Sequence, residues 1–370
     1  MPYWSTVMQI VTKFRDKNTV KSLLSKIQSE ALSNRQYRIM EVCGTHTLSI
    51  SRFGIRNLLP DNIKLISGPG CPVCVTSQGE IDLIFELLQK EDVVLAVYGD
   101  LMKVPGSAGE NLIELKSSGK DIRVILSPLD VIKIKESVNK PVVFVSIGFE
   151  TTTPASAGLA HKIVCNDIKD IYFLVFNKTM PEIIKVLLKD KELNIDGFLC
   201  PGHVTAITGE KLYLPIVDNK KAASIAGFEP VDILYSILEI INQVNRGKFY
   251  IANSYSRVVR AEENKIARSL IEEYFEPADS YWRGIGVIEK SGLKLKKEYE
   301  HLDAVKKFNL KPRYVDEIAG CRCGDVLKGK ILPNECKMFG GKCKPDNPVG
   351  PCMVSGEGAC AAYYKYEIFQ

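Results

Sequence analysis

The chain has 370 residues and a mass of 41.2 kDa, more than one compact domain of about 100–200 residues accommodates, so two or three packed units are expected. An apolar share of 45% with 25% charged residues excludes disordered and low-complexity architectures, and 49 basic against 44 acidic residues, spread along the chain, leaves a net charge of +5 that does not favour nucleic acid. No apolar run reaches the ~20 residues of a membrane helix and the opening Met-Pro-Tyr-Trp lacks the pattern of a signal peptide, so the expected location is cytoplasmic, with no membrane partner.

Residues 12–32 set Val20, Leu23, Leu24, Ile27 and Leu32 at roughly helical spacing between lysines, which predicts an amphipathic helix. Residues 1–36 then read as an N-terminal helical segment packing on the body. Runs rich in β-branched residues at Tyr37–Val42, Ile63–Ser67, Val93–Tyr98, Ile122–Leu126, Val142–Ile147, Ile171–Phe176 and Ile195–Leu199 predict strands. Between most of them lie periodic stretches, Ile81–Lys90, Leu129–Ser137, Ala155–Cys165 and Pro181–Lys189, so the expected class is α/β, with two βαβ-type domains whose parallel sheets are flanked by helices. The polar break Asn139-Lys140-Pro141 divides these domains into 37–139 and 140–260. Val231–Val244 and Ala261–Tyr274 read as helices, and after Trp282 the pattern becomes irregular. From Cys321 glycine, proline and cysteine replace periodic apolar residues, which gives a C-terminal, cysteine-rich domain at 261–370 that needs a metal or crosslinks for part of its stability.

Cysteine is the anomaly of the composition: there are eleven, and six (Cys321, Cys323, Cys336, Cys343, Cys352, Cys360) crowd into the last fifty residues. In a reducing compartment clustered thiols are more often metal ligands or redox groups than structural disulfides. The tail contains no histidine among these thiols, with gaps of twelve residues between Cys323 and Cys336, six between Cys336 and Cys343, and sixteen between Cys343 and Cys360. Wide, uneven, all-thiolate spacing favours a cubane iron–sulfur cluster, while four-cysteine zinc sites usually show paired short spacings.

The other candidates fall on loops after predicted strands, where open α/β sheets bind their ligands. Cys43 stands three residues before His46 in Glu41-Val-Cys43-Gly-Thr-His46-Thr, as a nucleophile with its base, as ligands to a soft metal, or as a packed thiol. Cys71 and Cys74 form a Cys-x-x-Cys in a glycine-rich turn ahead of a helix, which suits a redox dithiol, two soft-metal ligands or half of a zinc site. Glu150 in Gly148-Phe-Glu150-Thr-Thr-Thr-Pro154 is a candidate carboxylate, with Thr152 or Thr153 as helix cap, and His203 in Pro201-Gly-His203-Val is a candidate base. His161 and His301 read as structural or surface residues, and Cys165 and Cys200 as core thiols.

As a set, Met40-Glu-Val-Cys43-Gly-Thr-His46-Thr, Gly68-Pro-Gly-Cys71-Pro-Val-Cys74-Val-Thr, Gly148-Phe-Glu150-Thr-Thr-Thr-Pro154, Pro201-Gly-His203-Val and the tail from Cys336 through Cys352-Met-Val-Ser-Gly-Glu357-Gly-Ala-Cys360 resemble the HypD family of NiFe-hydrogenase maturation proteins, in order and over nearly the whole chain. The resemblance implies a redox-active assembly scaffold rather than a conventional turnover enzyme. With a small HypC-type chaperone it would hold the iron on which the Fe(CN)2CO group is built, and it would receive cyanide from the thiocarboxamide carrier HypE. Carried over by motif, Cys43 would be the iron ligand shared with a HypC thiolate, with His46 nearby, and Cys71 and Cys74 the redox dithiol. A 4Fe-4S cluster would use four of the tail cysteines. Cys323, Cys336, Cys343 and Cys360 are the expected ligands, with Cys321 as a substitute for Cys323 and Cys352 free to pair with the thiol left over. Two other readings stand beside this one: a general thiol–disulfide oxidoreductase acting through Cys71 and Cys74 with a structural metal-binding tail, and a zinc-stabilised binding module.

Overall fold

The structure, a computed structural model, describes residues 12–367. An amphipathic helix at Lys17–Glu30 starts at Asp16, whose carboxylate accepts from the Thr19 amide at 2.7 Å, and buries Leu23 and Ile27 against the helix Pro230–Arg246. The first eleven residues of the N-terminal segment lie outside the described residues.

All seven expected strands form: β1 (Tyr37–Glu41), β2 (Ile63–Ser67), β3 (Val94–Tyr98), β4 (Ile122–Ile125), β5 (Val142–Ser146), β6 (Ile171–Val175) and β7 (Gly197–Pro201). Two further strands, β8 (Ala222–Ala226) and β9 (Ile251–Asn253), extend the first sheet. The fold is α/β with two all-parallel sheets, ordered β2-β1-β7-β8-β9 and β4-β3-β5-β6, and helices pack against both. The sheets interleave along the chain, because β3 to β6 are inserted between β2 and β7 of the other sheet. Asn139-Lys140-Pro141 therefore falls between β4 and β5, inside the four-stranded sheet. A polar loop marks a turn but carries no information about which strand the next one pairs with.

One core joins the two sheets: Met40, Val42, Ile66, Phe198 and Ile225 from the first share it with Leu95, Val97, Val143, Val145 and Leu174 from the second. The helix Gln78–Lys90, whose Ile81, Leu83, Ile84, Leu87 and Leu88 are buried, packs into the same core. A surface helix would bury a single stripe; this one is covered on most of its circumference.

The stretch expected to become irregular after Trp282 is instead half of a regular hairpin. β10 (Phe275–Trp282) pairs antiparallel with β11 (Gly286–Leu295), with a register shift between Ala278 and Ser280. The helix Lys265–Tyr274 and this hairpin lean on the four-stranded sheet, where Tyr274, Phe275 and Leu295 join Phe144 and Phe173. From Cys321 onward regular structure is sparse, ending in the helix Ala359–Tyr366. Among the described residues no helix is long and apolar enough to cross a membrane.

Candidate functional site

β1 ends at Glu41, and two residues later Cys43 occupies the N-cap position of the helix Gly44–Arg52. Its sulfur lies 3.8 Å from His203 Nε2, on the helix Gly202–Thr208 that follows β7, the hydrogen-bonded neighbour of β1. The sheet thus places a thiol and an imidazole side by side although 160 residues separate them. Burial, aided by the nearby Glu357 carboxylate, pushes the Cys43 thiol up to about 12, while the amides of His46 and Thr45 pull the other way. Burial also pulls His203 down to about 4, so at neutral pH a protonated thiol faces a neutral imidazole.

His46 does not face Cys43. Its Nε2 meets the Gly227 carbonyl at 3.0 Å, its Nδ1 is buried without a partner, and its ring packs on Phe228 at 4.8 Å between centroids. His203 stacks on the same phenyl ring at 4.9 Å. Burial, with His203 adding to it, takes His46 down to about 3, so it is a neutral prop behind His203.

β2 delivers the second loop. Gly44 N–H donates to the Gly70 carbonyl at 3.1 Å, and a Cβ on Gly70 would lie 2.2 Å from the Cys43 nitrogen. Only glycine allows the Cys71 loop to run this close to Cys43. Cys71 and Cys74 are joined as a disulfide and both are buried. Cys71 caps, and Cys74 lies within, a short turn of helix at Pro72–Val75 that precedes the longer helix, whose first turn is closed by a capping box between Ser77 and Glu80. Glu80 also accepts two hydrogen bonds from the buried Lys178, at 3.0 and 3.1 Å.

Glu150 follows β5. One carboxylate oxygen accepts from the Met180 amide at 2.8 Å, the other is buried with no partner, and burial pushes the carboxyl up to about 7. Thr152 occupies the cap position expected for it, but neither threonine caps: the hydroxyls of Thr152 and Thr153 both donate back to the Phe149 carbonyl.

All six tail cysteines line one pocket, together with Val326, Met338, Phe339, Val349 and Met353. Cys323 lies next to Cys321 and Cys352, and Cys352 next to Cys360, while Cys336 and Cys343 complete the wall. The thiols converge as a set, without four of them being singled out. Soft donors in an apolar, histidine-free pocket suit an iron–sulfur group. Among the described residues no three histidine, cysteine or acidic side chains are placed to hold a single ion; a cubane spreads its thiolates over four irons.

The tail folds back on the first loop through residues that local sequence patterns did not single out. Thr45 donates to Glu357 at 2.5 Å, and Ser355 donates to Asp100, after β3, at 2.8 Å. Arg56, half-buried with its guanidinium 4.7 Å from the Tyr363 ring centroid, bonds Glu41 at 2.6 Å and Glu367 at 3.1 Å. Cys200 is a core thiol as expected. Cys165 is not: it is exposed at the end of its helix, with its sulfur 3.6 Å from His161 Nε2, because the helix Thr153–Cys165 turns that face to solvent.

A family model described as HypD, hydrogenase formation hypA family, matches residues 18–367. The chain belongs to the HypD family. It is 40% identical to hydrogenase maturation factor HypD2 of Bradyrhizobium diazoefficiens, over 98% of each chain. It is 39% identical to hydrogenase maturation factor HypD of Escherichia coli, over 97% of this chain and 98% of that one. With HypD of Cupriavidus necator it shares 38% identity over 98% of both. The expected family membership is thereby established, and with it the role of hydrogenase maturation factor.

Proposed function

We propose that this HypD-family protein is the scaffold on which a hydrogenase iron acquires its cyanide and carbonyl ligands, the iron being cargo held by Cys43 and a thiolate of a small HypC-type chaperone. The observation that carries the reading is the contact of the Cys43 loop with three others: His203 at 3.8 Å, the Gly70 backbone beside the Cys71–Cys74 disulfide, and Glu357 of the cysteine-rich tail. Low-spin iron with cyanide and carbonyl prefers soft thiolate. Cys43 must lose its proton on binding iron, and His203 is the neutral base beside it. His46 holds Phe228 behind His203 and acts by positioning.

Cyanide would come from a transiently bound HypE-type carrier. Once the carrier sulfur bears a cyano group, its release as cyanide takes two electrons and one proton, leaving the carrier thiol. Oxidation of the Cys71–Cys74 dithiol to a disulfide supplies two electrons and two protons, so one proton is left over and passes to solvent. The disulfide is then the spent form. A 4Fe-4S cluster on Cys323, Cys336, Cys343 and Cys360 would pass it single electrons from a reduced one-electron carrier. A general thiol–disulfide oxidoreductase fits less well, because it leaves the Cys43–His203 pair and the six converging tail thiols without a role.

Infrared spectroscopy of the protein co-purified anaerobically with its small partner tests the reading. Cyanide and carbonyl stretches are expected, and both should vanish in Cys43→Ala. A colourless preparation with zinc and no sulfide would overturn it.

A further inference from the structure

Arg283, just after β10, is only 2% exposed, yet no step above uses it. The backbone of the preceding Trp282 bridges Thr76, and Arg283 N–H donates to the Val75 carbonyl at 2.9 Å. Its Nε donates to the Thr76 carbonyl at 2.8 Å and its Nη1 to Gln78 Oε1 at 3.1 Å. Three donors therefore fasten the segment that follows Cys74. The fourth group, Nη2, is buried without a partner.

The next residue touches the tail. A Cβ on Gly284 would lie 2.0 Å from the Gly324 Cα and 3.0 Å from Glu317 Oε1, so this turn is pressed against the chain at Cys323. Across this contact the Arg283 charge acts on Cys323 and on Glu317. A buried guanidinium with an open donor needs negative charge nearby. Here that charge belongs to the cysteine pocket and Glu317.

We propose that Arg283 is a positioning cation between the two thiol centres, anchoring the segment after Cys74 and, through its charge, setting the reduction potential of the iron–sulfur group in the Cys323 pocket. The inference rests on the cluster reading of the tail. Reduction adds negative charge to the pocket, and a fixed cation in a low-dielectric setting favours that state, so Arg283 raises the potential and Glu317 lowers it.

Potentiometric titration of the anaerobically purified full chain, followed by electron paramagnetic resonance, provides the test. Arg283→Gln should shift the one-electron equilibrium about tenfold toward the oxidised state, about 59 mV lower. Arg283→Lys, which keeps the charge, should stay within about threefold of wild type. Glu317→Gln should move the potential upward, and it supplies the answer if Arg283→Gln does not fold. A clustered protein whose potential ignores Glu317→Gln and any folded Arg283→Gln overturns this inference alone. A wild-type protein without sulfide overturns the cluster reading and this inference with it.

Discussion

Cys43, Cys71 and Cys74 sit where parallel strands end, fixed by backbone: the Gly44 amide on Gly70, a capped helix behind Cys74, and a sheet that brings His203 beside Cys43. The six tail cysteines face one another from loops and short helical turns, where regular structure is sparse and only part of the segment, Cys323, Leu327 and Cys352, joins the shared core. In the body, burial of apolar surface builds the site first and the sulfurs occupy it. In the tail, a group held by the thiols would do much of the building. The sharpest way to break this contrast is to remove that group. Anaerobic chelation with an oxidant should raise proteolytic cleavage within residues 321–358 at least tenfold, while the far-ultraviolet circular dichroism of the α/β body is retained. A tail that stays resistant would show that it folds by packing, as the body does.

The next largest effect lies at the clamp between the regions. Arg56, half-buried, pairs with the buried Glu41 at the end of β1 and also holds Glu367 at the end of the tail helix. Arg56→Ala strands the Glu41 carboxylate in a core where burial already pushes it up. The expected loss is about 3–5 kcal/mol in urea unfolding, with the tail released first.

The difference between the regions also explains what could be read in advance. Seven strands announced themselves because strands buried on both faces are continuous runs of β-branched residues. β8 did not, since Ala222-Ala-Ser-Ile-Ala226 carries one β-branched side chain. The β10–β11 hairpin was hidden by Pro277 and by charges on its exposed face, such as Glu276, Glu289 and Lys294. Strand-end loops pointed to Cys43, His203 and the Cys71 loop as one neighbourhood, because parallel sheets gather such loops at one edge. Arg56 and Arg283 gave no signal, and Glu357 none beyond its place in the tail motif. Each acts on partners up to about three hundred residues away, and no local pattern encodes such a pair.

Glu150 sharpens the contrast from the body's side, as a titratable group whose setting is built by burial alone. Its carboxyl, held near 7 against 4.5 in the open chain, keeps its proton in the native state across that interval. Its contribution to stability is full below the unfolded value and is lost as pH rises through the folded one. At about 1.4 kcal/mol per pKa unit the cost at pH 8 is about 3 kcal/mol. Glu150→Gln keeps an acceptor for the Met180 amide and removes the charge. Urea midpoints should match wild type at pH 4 and favour the variant at pH 8; equal midpoints at both would show that Glu150 is solvated.

The smallest effect separates the regions most cleanly. Ser77 Oγ accepts from the Glu80 amide at 3.2 Å, and Glu80 returns a bond to the Ser77 amide at 2.7 Å, closing the helix directly behind Cys74. Ser77→Ala removes one half of this box and should cost about 1 kcal/mol, since Glu80 keeps the Ser77 amide and both bonds from Lys178. If the body fixes the dithiol through backbone and sheet, thiol trapping of Cys71 and Cys74 should be unchanged in this variant, and so should the iron and sulfide content of the tail. A loss of sulfide from so small a change behind Cys74 would mean that the two thiol groups fold as one unit, with Arg283 and the Val75–Gln78 segment it holds as the physical link between them.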